Sequence, residues 1–263
     1  MNRIIDIFKK NKSKNIGTFV GYITFGVHSI DFTLKAIEVM LKNGVDIIEL
    51  GVPFSDMVAD GAIIRQASLM ALSSNVNLEK IFDAIGIIRE KFPQNPLVVF
   101  SYYNVIFSYG LEKFFKMLEK LDLDGALPVD LPLEERDEIL SIMKGKSISY
   151  IPLIAPTTSE DRIKKIVSGV ENTFIYNINI NGTTGVRDDL PLDLKDRLKL
   201  IKEIAGDIPV VSGFGIQKYS QAKTISNYAD GYVIGSKIMK IILEEDEPLV
   251  KLKNFVRHIK FGE

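Results

Sequence analysis

The chain has no cysteine, two histidines and almost no charge imbalance, and each shortage removes a class of function. Without cysteine it has no disulfide framework, no thiolate metal site and no sulfur nucleophile. His28 and His258, the two histidines, are too few to build a metal cluster. A formal net charge of -1 gives no bulk electrostatic case for binding nucleic acid or an anionic membrane. The lysines are scattered, as on solvated helix faces. No apolar run approaches the length of a membrane span. The first residues, MNRIIDIFKKNKSKN, lack the long apolar core of a secretory signal and read as a short helix. A cytoplasmic protein is the expectation. What remains is an ordinary soluble composition, 46% apolar and 25% charged over 263 residues, enough for a sizeable core in one barrel-sized domain or two small ones.

The stretch that organises the rest is VDIIELGVPFSDMVADGAIIRQAS, residues 45–68. Its opening run is rich in β-branched residues and reads as a buried strand that ends on Glu49. Burying a carboxylate is costly unless something compensates, so an isolated glutamate here could equally close a structural ion pair. A second carboxylate, Asp60, lies on the loop that follows, before Gly61 opens an amphipathic helix. Two acids within reach of one strand end favour chemistry, because in parallel sheets that end is where sites form.

Seven further apolar runs alternate with helical patterns: 16–25, 97–103, 125–131, 147–155, 173–180, 208–215 and 229–236. The segments between them carry apolar residues at i, i+3, i+4 and i+7, as in FTLKAIEVMLKNG and LDLKDRLKLIKEIAG. Eight evenly spaced strand–helix units without a linker predict one α/β domain over residues 1–263, a (β/α)8 TIM barrel with an extra N-terminal helix. A doubly wound open sheet is the alternative, which the short connections disfavour. The longest connections, roughly 52–61 and 181–191, are candidate active-site loops.

In a barrel the C-terminal strand ends share one mouth. The predicted ends are Tyr22 and Thr24; Glu49; Tyr102, Tyr103 and Asn104; Asp130; Tyr176 and Asn179; Gly213 to Gly215; and Gly235 with Ser236. Glycine lets backbone approach an anion closely, and Ser236 opens a helix whose free N–H groups favour negative charge. GFG, GS and the NGTTG of 181–185, on three strand ends, point to a phosphate-bearing substrate held by backbone donors. Opposite that anion site we place Glu49, Asp60 and an aromatic wall of Tyr22, Tyr102, Tyr176 and Phe214. Two carboxylates without a metal ligand set suggest general acid–base work on a C–C or C–O bond. Glu49, leaving an apolar strand, should have a raised pKa, while the more exposed Asp60 stays ionised. His28, in the first βα loop, has no evident partner and reads as loop filler.

ELGVPFSDMVADGAIIRQAS, SYYNVIFSYGLEKF, DLPLEE, IAPTT, NGTTGVR, SGFGI and IGSKI occur in this order. Together they resemble the alpha subunits of tryptophan synthase, from about Thr18 to the helix after Ser236. The resemblance implies retro-aldol cleavage of indole-3-glycerol phosphate into indole and glyceraldehyde 3-phosphate. Glu49 matches the family's acid–base residue, which protonates indole C3 and assists at the glycerol hydroxyl. Asp60 matches the carboxylate that holds the indole N–H and stabilises the cation formed there. Gly185, Gly215, Gly235 and Ser236 fall on phosphate-binding positions, and Tyr176, Thr184 and Phe214 on positions that orient the side chain and sandwich the ring. The resemblance also implies a beta-chain partner in a heterotetramer of two alpha and two beta chains. Pyridoxal phosphate is then expected only in the beta chain and no cofactor in this one, with Pro53 and Asp56 on the loop that contacts the partner.

The sequence departs from the family in places. Met57 and Ala62 stand where proline is usual, which should leave the loop before Asp60 looser. Gly26-Val27-His28 replaces Gly-Asp-Pro, Val105 replaces a common proline, the usual proline before Asp130 is missing, and Asn179 and Asn181 replace serine or threonine. A free-standing lyase, a module that only activates a partner and, more distantly, another phosphate-binding barrel enzyme such as a sugar-phosphate isomerase are the competing readings. Retention of both Glu49 and Asp60 argues against the module that only activates a partner.

Overall fold

The computed structural model describes residues 2–179, 192–213 and 215–263. Among them the parallel strands are β1 (Thr18–Thr24), β2 (Ile47–Gly51), β3 (Leu97–Ser101), β4 (Gly125–Pro128), β5 (Ser149–Tyr150), β6 (Leu153–Ile154), β7 (Ile175–Asn177), β8 (Val210–Gly213) and β9 (Gly231–Ile234). They form one sheet in the order β5-β4-β3-β2-β1-β9-β8-β7-β6. Its two edges are halves of a single apolar run, the fifth predicted strand. The Ile151 N–H donates to Ala126 on β4 (3.0 Å), and one residue later the Pro152 carbonyl accepts from Tyr176 on β7 (3.0 Å). The run therefore changes partner at a proline, which has no N–H to leave unpaired, and its two halves close the ring. The eight predicted units are a closed (β/α)8 barrel rather than an open sheet.

The helices in chain order are α1 (Arg3–Ser13), α2 (Ile30–Asn43), α3 (Ala62–Ser73), α4 (Leu78–Lys91), α5 (Tyr103–Tyr109), α6 (Leu111–Lys120), α7 (Arg136–Met143), α8 (Glu160–Val167), α9 (Leu192–Ala205), α10 (Tyr219–Ile225), α11 (Ser236–Glu244) and α12 (Pro248–Phe261). Local chemistry sets their ends. In α2 the Ser29 hydroxyl accepts from the Phe32 N–H, and Gly44 stops the helix at φ +127°, a conformation that costs glycine little. Thr33, Ala36, Ile37 and Met40, three or four residues apart, are its buried stripe.

Inside the barrel, side chains stack in layers. Val20, Ile47, Val98, Leu127, Ile151, Phe174, Val211 and Val233 form one apolar layer, on which Ile4 and Phe8 of α1 pack. The leading helix is thus a plug at the N-terminal mouth. Asp124 anchors it there, accepting from Arg3 (2.9 Å), Arg89 (2.6 Å) and the Leu97 N–H (2.8 Å).

Two expectations need correction, and one element was missed. The third run stops at Ser101, and Tyr103 and Asn104 already belong to α5, a helix the strand reading concealed. The fourth run ends at Pro128, short of Asp130. The C-terminal α12 was not foreseen, although Leu252, Val256 and Ile259 give it a helical stripe. Its Lys260 meets Asp46 at 2.5 Å, and Asp46 also accepts the Phe19 N–H at 2.8 Å.

Candidate active site

Two residues beyond the apolar layer, every strand presents its next inward position. Period-two geometry makes these Tyr22, Glu49, Phe100, Val129, Leu153, Tyr176, Gly213 and Gly235, and all eight line one cavity of about 230 Å³ at the C-terminal mouth. Six of the eight supply walls. The two glycines, on adjacent β8 and β9, supply none, so the cavity opens over them. The close fit extends to neighbouring rings: a Cβ on Gly235 would lie 3.2 Å from the Tyr22 Cβ, and one on Gly213 would lie 3.4 Å from the Tyr176 hydroxyl.

Glu49 is fully buried, with 0% of its surface exposed, and neither carboxylate oxygen has a hydrogen-bond partner. No ion pair compensates it among the described residues, which removes the structural reading. Burial pushes its pKa up to about 8, so the carboxyl is held protonated at neutral pH. Asp60 also borders the cavity and accepts a hydrogen bond from the Tyr102 hydroxyl at 2.9 Å. Burial pushes its carboxyl up as well, with the Tyr102 bond pulling the other way. The two acids differ in their surroundings, one dry and unpartnered, the other half-buried and hydrogen-bonded, but burial raises the pKa of both rather than of Glu49 alone.

Tyr102 does not line the cavity. Its hydroxyl holds the loop, accepting from the Ala59 N–H at 3.0 Å while donating to Asp60, and its ring lies 5.1 Å from that of Phe54. Met57, in place of a proline, is buried. Pro53 is buried too, beside a separate groove of about 390 Å³ with Phe54, Asn104 and Val105. Asp56 faces solvent and accepts from Ser55 (3.2 Å).

At the glycine end, α11 starts at Ser236 directly after β9. Its first N–H groups have no partner within the helix. Gly215 adopts φ +60°, with open space where a side chain would stand, and Gly215, Gly235 and Ser236 all border the cavity. Thr184, Gly185, Asn181 and Phe214 lie outside the described residues. The glycine end is not opposite Glu49, as the strand-end reading placed it. β1 alone separates β2 from β9, so two strand spacings, about 10 Å around the rim, divide Glu49 from Gly235, with Tyr22 between them.

Some strand-end residues are taken out of the site. Asp130 accepts the Tyr103 N–H at 2.6 Å at the start of α5, and Asn104 accepts from Ser108 within that helix. His28 has φ +58°, pairs with the Ile242 carbonyl at 2.9 Å and sets its ring against Phe32. It joins α11 to the first loop and stays clear of the cavity. Other lining residues were missed: Phe100, Val129 and Leu153, with Ile64, Ile178 and Lys237. Counting two positions on from the apolar layer would have found the first three. Nothing in the local pattern announced Lys237.

The family model described as tryptophan synthase alpha chain matches residues 8–260. The tryptophan synthase alpha chain of Aquifex aeolicus (strain VF5) is 38% identical over 263 residues, covering 100% of this chain and 99% of that one. That of Alkaliphilus metalliredigens is 37% identical, covering 98% and 97%. Among solved structures, the alpha chain of Legionella pneumophila subsp. pneumophila has TM-score 0.89 and 27% identity, covering 99% of this chain and 96% of that one. Tryptophan synthase from M. tuberculosis in its aminoacrylate-bound form has TM-score 0.88 and 26% identity, covering 100% and 99%.

Proposed function

The chain belongs to the family of tryptophan synthase alpha chains, and from that premise we propose the part each residue plays in the family's reaction. The reaction is the retro-aldol cleavage of indole-3-glycerol phosphate to indole and glyceraldehyde 3-phosphate. Protonated Glu49 gives its proton to indole C3, leaving a cation whose charge reaches the ring nitrogen. The Asp60 carboxylate accepts the ring N–H and stabilises that cation. The bond from C3 to the glycerol carbon then breaks with its electron pair returning to the ring. The hydroxyl on that carbon loses its proton to Glu49 and becomes the aldehyde, so the acid is restored.

Tyr22, Phe100, Val129, Leu153 and Tyr176 enclose the indole and exclude water, with Tyr102 positioning Asp60. The phosphate lies at Gly215, Gly235 and Ser236, over the two strands that contribute no side chain. By resemblance, Gly185 adds a further donor there, and Thr184 and Phe214 complete the enclosure. The whole of residues 1–263 serves as one barrel domain in the cytoplasm. Its product indole passes to a beta chain carrying pyridoxal phosphate, within a heterotetramer of two chains of each kind, this chain holding no cofactor itself.

The observation that carries this reading is a wholly buried, unpartnered glutamate in the same small cavity as a second carboxylate. A chain that served only to activate a partner would have no use for it. The test is indole release from indole-3-glycerol phosphate, with and without a beta chain. An absence of release in both conditions would overturn the lyase assignment for these residues.

A further inference from the structure

We propose that Lys237 sets the preference for a phosphorylated substrate, its ammonium pairing with the phosphate at the first turn of α11. The inference rests on the phosphate site proposed above and adds a cation to donors that are otherwise backbone and hydroxyl.

Lys237 is the second residue of α11 and lines the same cavity as Glu49, Asp60 and Gly235. Among the described residues that line it, Lys237 is the one cation. Its position is locally wrong for a lysine. The N-terminal end of a helix carries positive partial charge and disfavours cations within its first turn. Nor is the charge compensated along the helix: its neighbours three and four residues on are Lys240 and Ile241. Lys240, by contrast, finds Glu244 at 3.6 Å. Among the described residues Lys237 has no salt bridge within 4 Å and no side-chain hydrogen bond. Glu245, whose carboxylate it helps to hold low, is claimed mainly by Lys251 at 2.7 Å.

A half-buried cation that opposes its own helix and, among the described residues, has neither salt bridge nor hydrogen bond breaks a local rule without a visible compensation, which is the usual mark of a functional position. An anion seated at the N-terminus of α11 would relieve both faults at once. A phosphate ester is the fitting class, because lysine binds phosphate as a mobile point charge and the cavity opens at this end. The cavity already contains Asp60, so a substrate phosphate enters beside like charge. A cation in the first turn of α11 offsets that repulsion and strengthens capture of the anion.

The experiment compares unmodified chain, Lys237→Ala and Lys237→Arg in steady-state cleavage of indole-3-glycerol phosphate. It also measures competitive inhibition by glycerol 3-phosphate, with indoleglycerol as the phosphate-free substrate. Lys237→Ala should raise KM and the glycerol 3-phosphate inhibition constant by about ten-fold at low salt, the effect of one charge contact. Most of the loss should fall on KM rather than kcat. The difference should shrink in about 0.5 M salt as screening shortens, Lys237→Arg should recover most of it, and indoleglycerol should not respond. An unchanged inhibition constant at low salt, or an equal loss with indoleglycerol, overturns the proposal. Ser236→Ala separates this from the phosphate site itself. If it leaves glycerol 3-phosphate inhibition untouched, the site is misplaced; if it weakens inhibition while Lys237→Ala does not, only the role of the lysine fails.

Discussion

Glu49 is expensive to the fold and is retained without a partner, so its two protonation states differ in stability as well as in activity. In the folded chain it titrates near 8, against an ordinary value of 4.5. Between those values the native state holds a proton that the unfolded state has lost, so stability falls as pH rises across that interval. Below about 4.5 both states are protonated and the penalty is absent. Glu49→Gln removes the titration while keeping the shape. Its stability relative to the unmodified chain should therefore grow from pH 5 to pH 8.5, by a few kcal/mol at most. Urea midpoints at the two pH values read this directly, and a gain that does not depend on pH would remove the buried-acid account. The same substitution removes the transferable proton and should lower indole release by the ~10²–10⁴-fold typical of a lost general acid–base group. Near-normal turnover would sink the role given to Glu49.

The loop between β2 and α3 places Asp60, and two elements behind it decide where it sits. The Tyr102 hydroxyl bridges the Ala59 N–H and the Asp60 carboxylate. Tyr102→Phe deletes both bonds, leaves the carboxylate without the contact that lowers its pKa, and should move the acidic limb of the kcat/KM profile to higher pH. A net hydrogen bond to a charged group is worth about 1.5–3 kcal/mol, so a loss in kcat/KM of at least ten-fold is expected. An unshifted limb would show that Tyr102 does not set Asp60. On β2 itself, a Cβ at Gly51 would fall 2.2 Å from the Tyr22 hydroxyl, which bonds Thr24 at 3.2 Å. Gly51→Ala must displace the ring that stands between the acid and the phosphate end. It should cost about 1–3 kcal/mol, as overpacking does, with a drop in turnover. If the urea midpoint and turnover are both unchanged, the strand pair accommodates the methyl and Tyr22 is not fixed as described.

At the scale of the whole molecule, one mouth is closed and the other is left to chemistry. α1 fills the N-terminal end with Ile4 and Phe8, while the C-terminal end carries the cavity and the loop from Pro53 to Asp56. Pro53 is buried and Asp56 exposed, so a partner pressing on this loop from outside would act on Asp60 through backbone already held by Phe54 and Tyr102. Activation by a beta chain would then be a shift toward a closed, dry site accessible to the free chain. We expect weak cleavage by the chain alone and a large rise with a matching beta chain. Pro53→Gly and Asp56→Ala should reduce the activated rate far more than the basal one. The ratio of turnover with and without the partner, for each variant, is the measurement. Full activity in the unpartnered chain, or full activation of both variants, would favour a free-standing lyase.

The sequence alone made the eight strand–helix units legible, because β-branched runs and 3.6-residue periodicity are local consequences of burial on one or both faces. It also placed Glu49, Gly215, Gly235 and Ser236 at strand ends and Asp60 on the loop after one of them, and in a closed parallel sheet those ends converge. It did not show that the fifth run would divide between two neighbours at Pro152, since hydrogen-bond partners there are set by ring closure. Nor could it separate Tyr102, which acts through a loop, from Tyr22 and Tyr176, which face the cavity: all three are aromatic strand ends, and only the pleat and the turn beyond it decide direction. Asp130, placed at a strand end by the sequence, is drawn off instead by α5, which is unreadable beneath an aromatic run and whose Tyr103 N–H it accepts at 2.6 Å. Phe100, Val129 and Leu153 entered the site through layer and register. Those are relations between strands far apart in the chain, fixed only when the barrel closes.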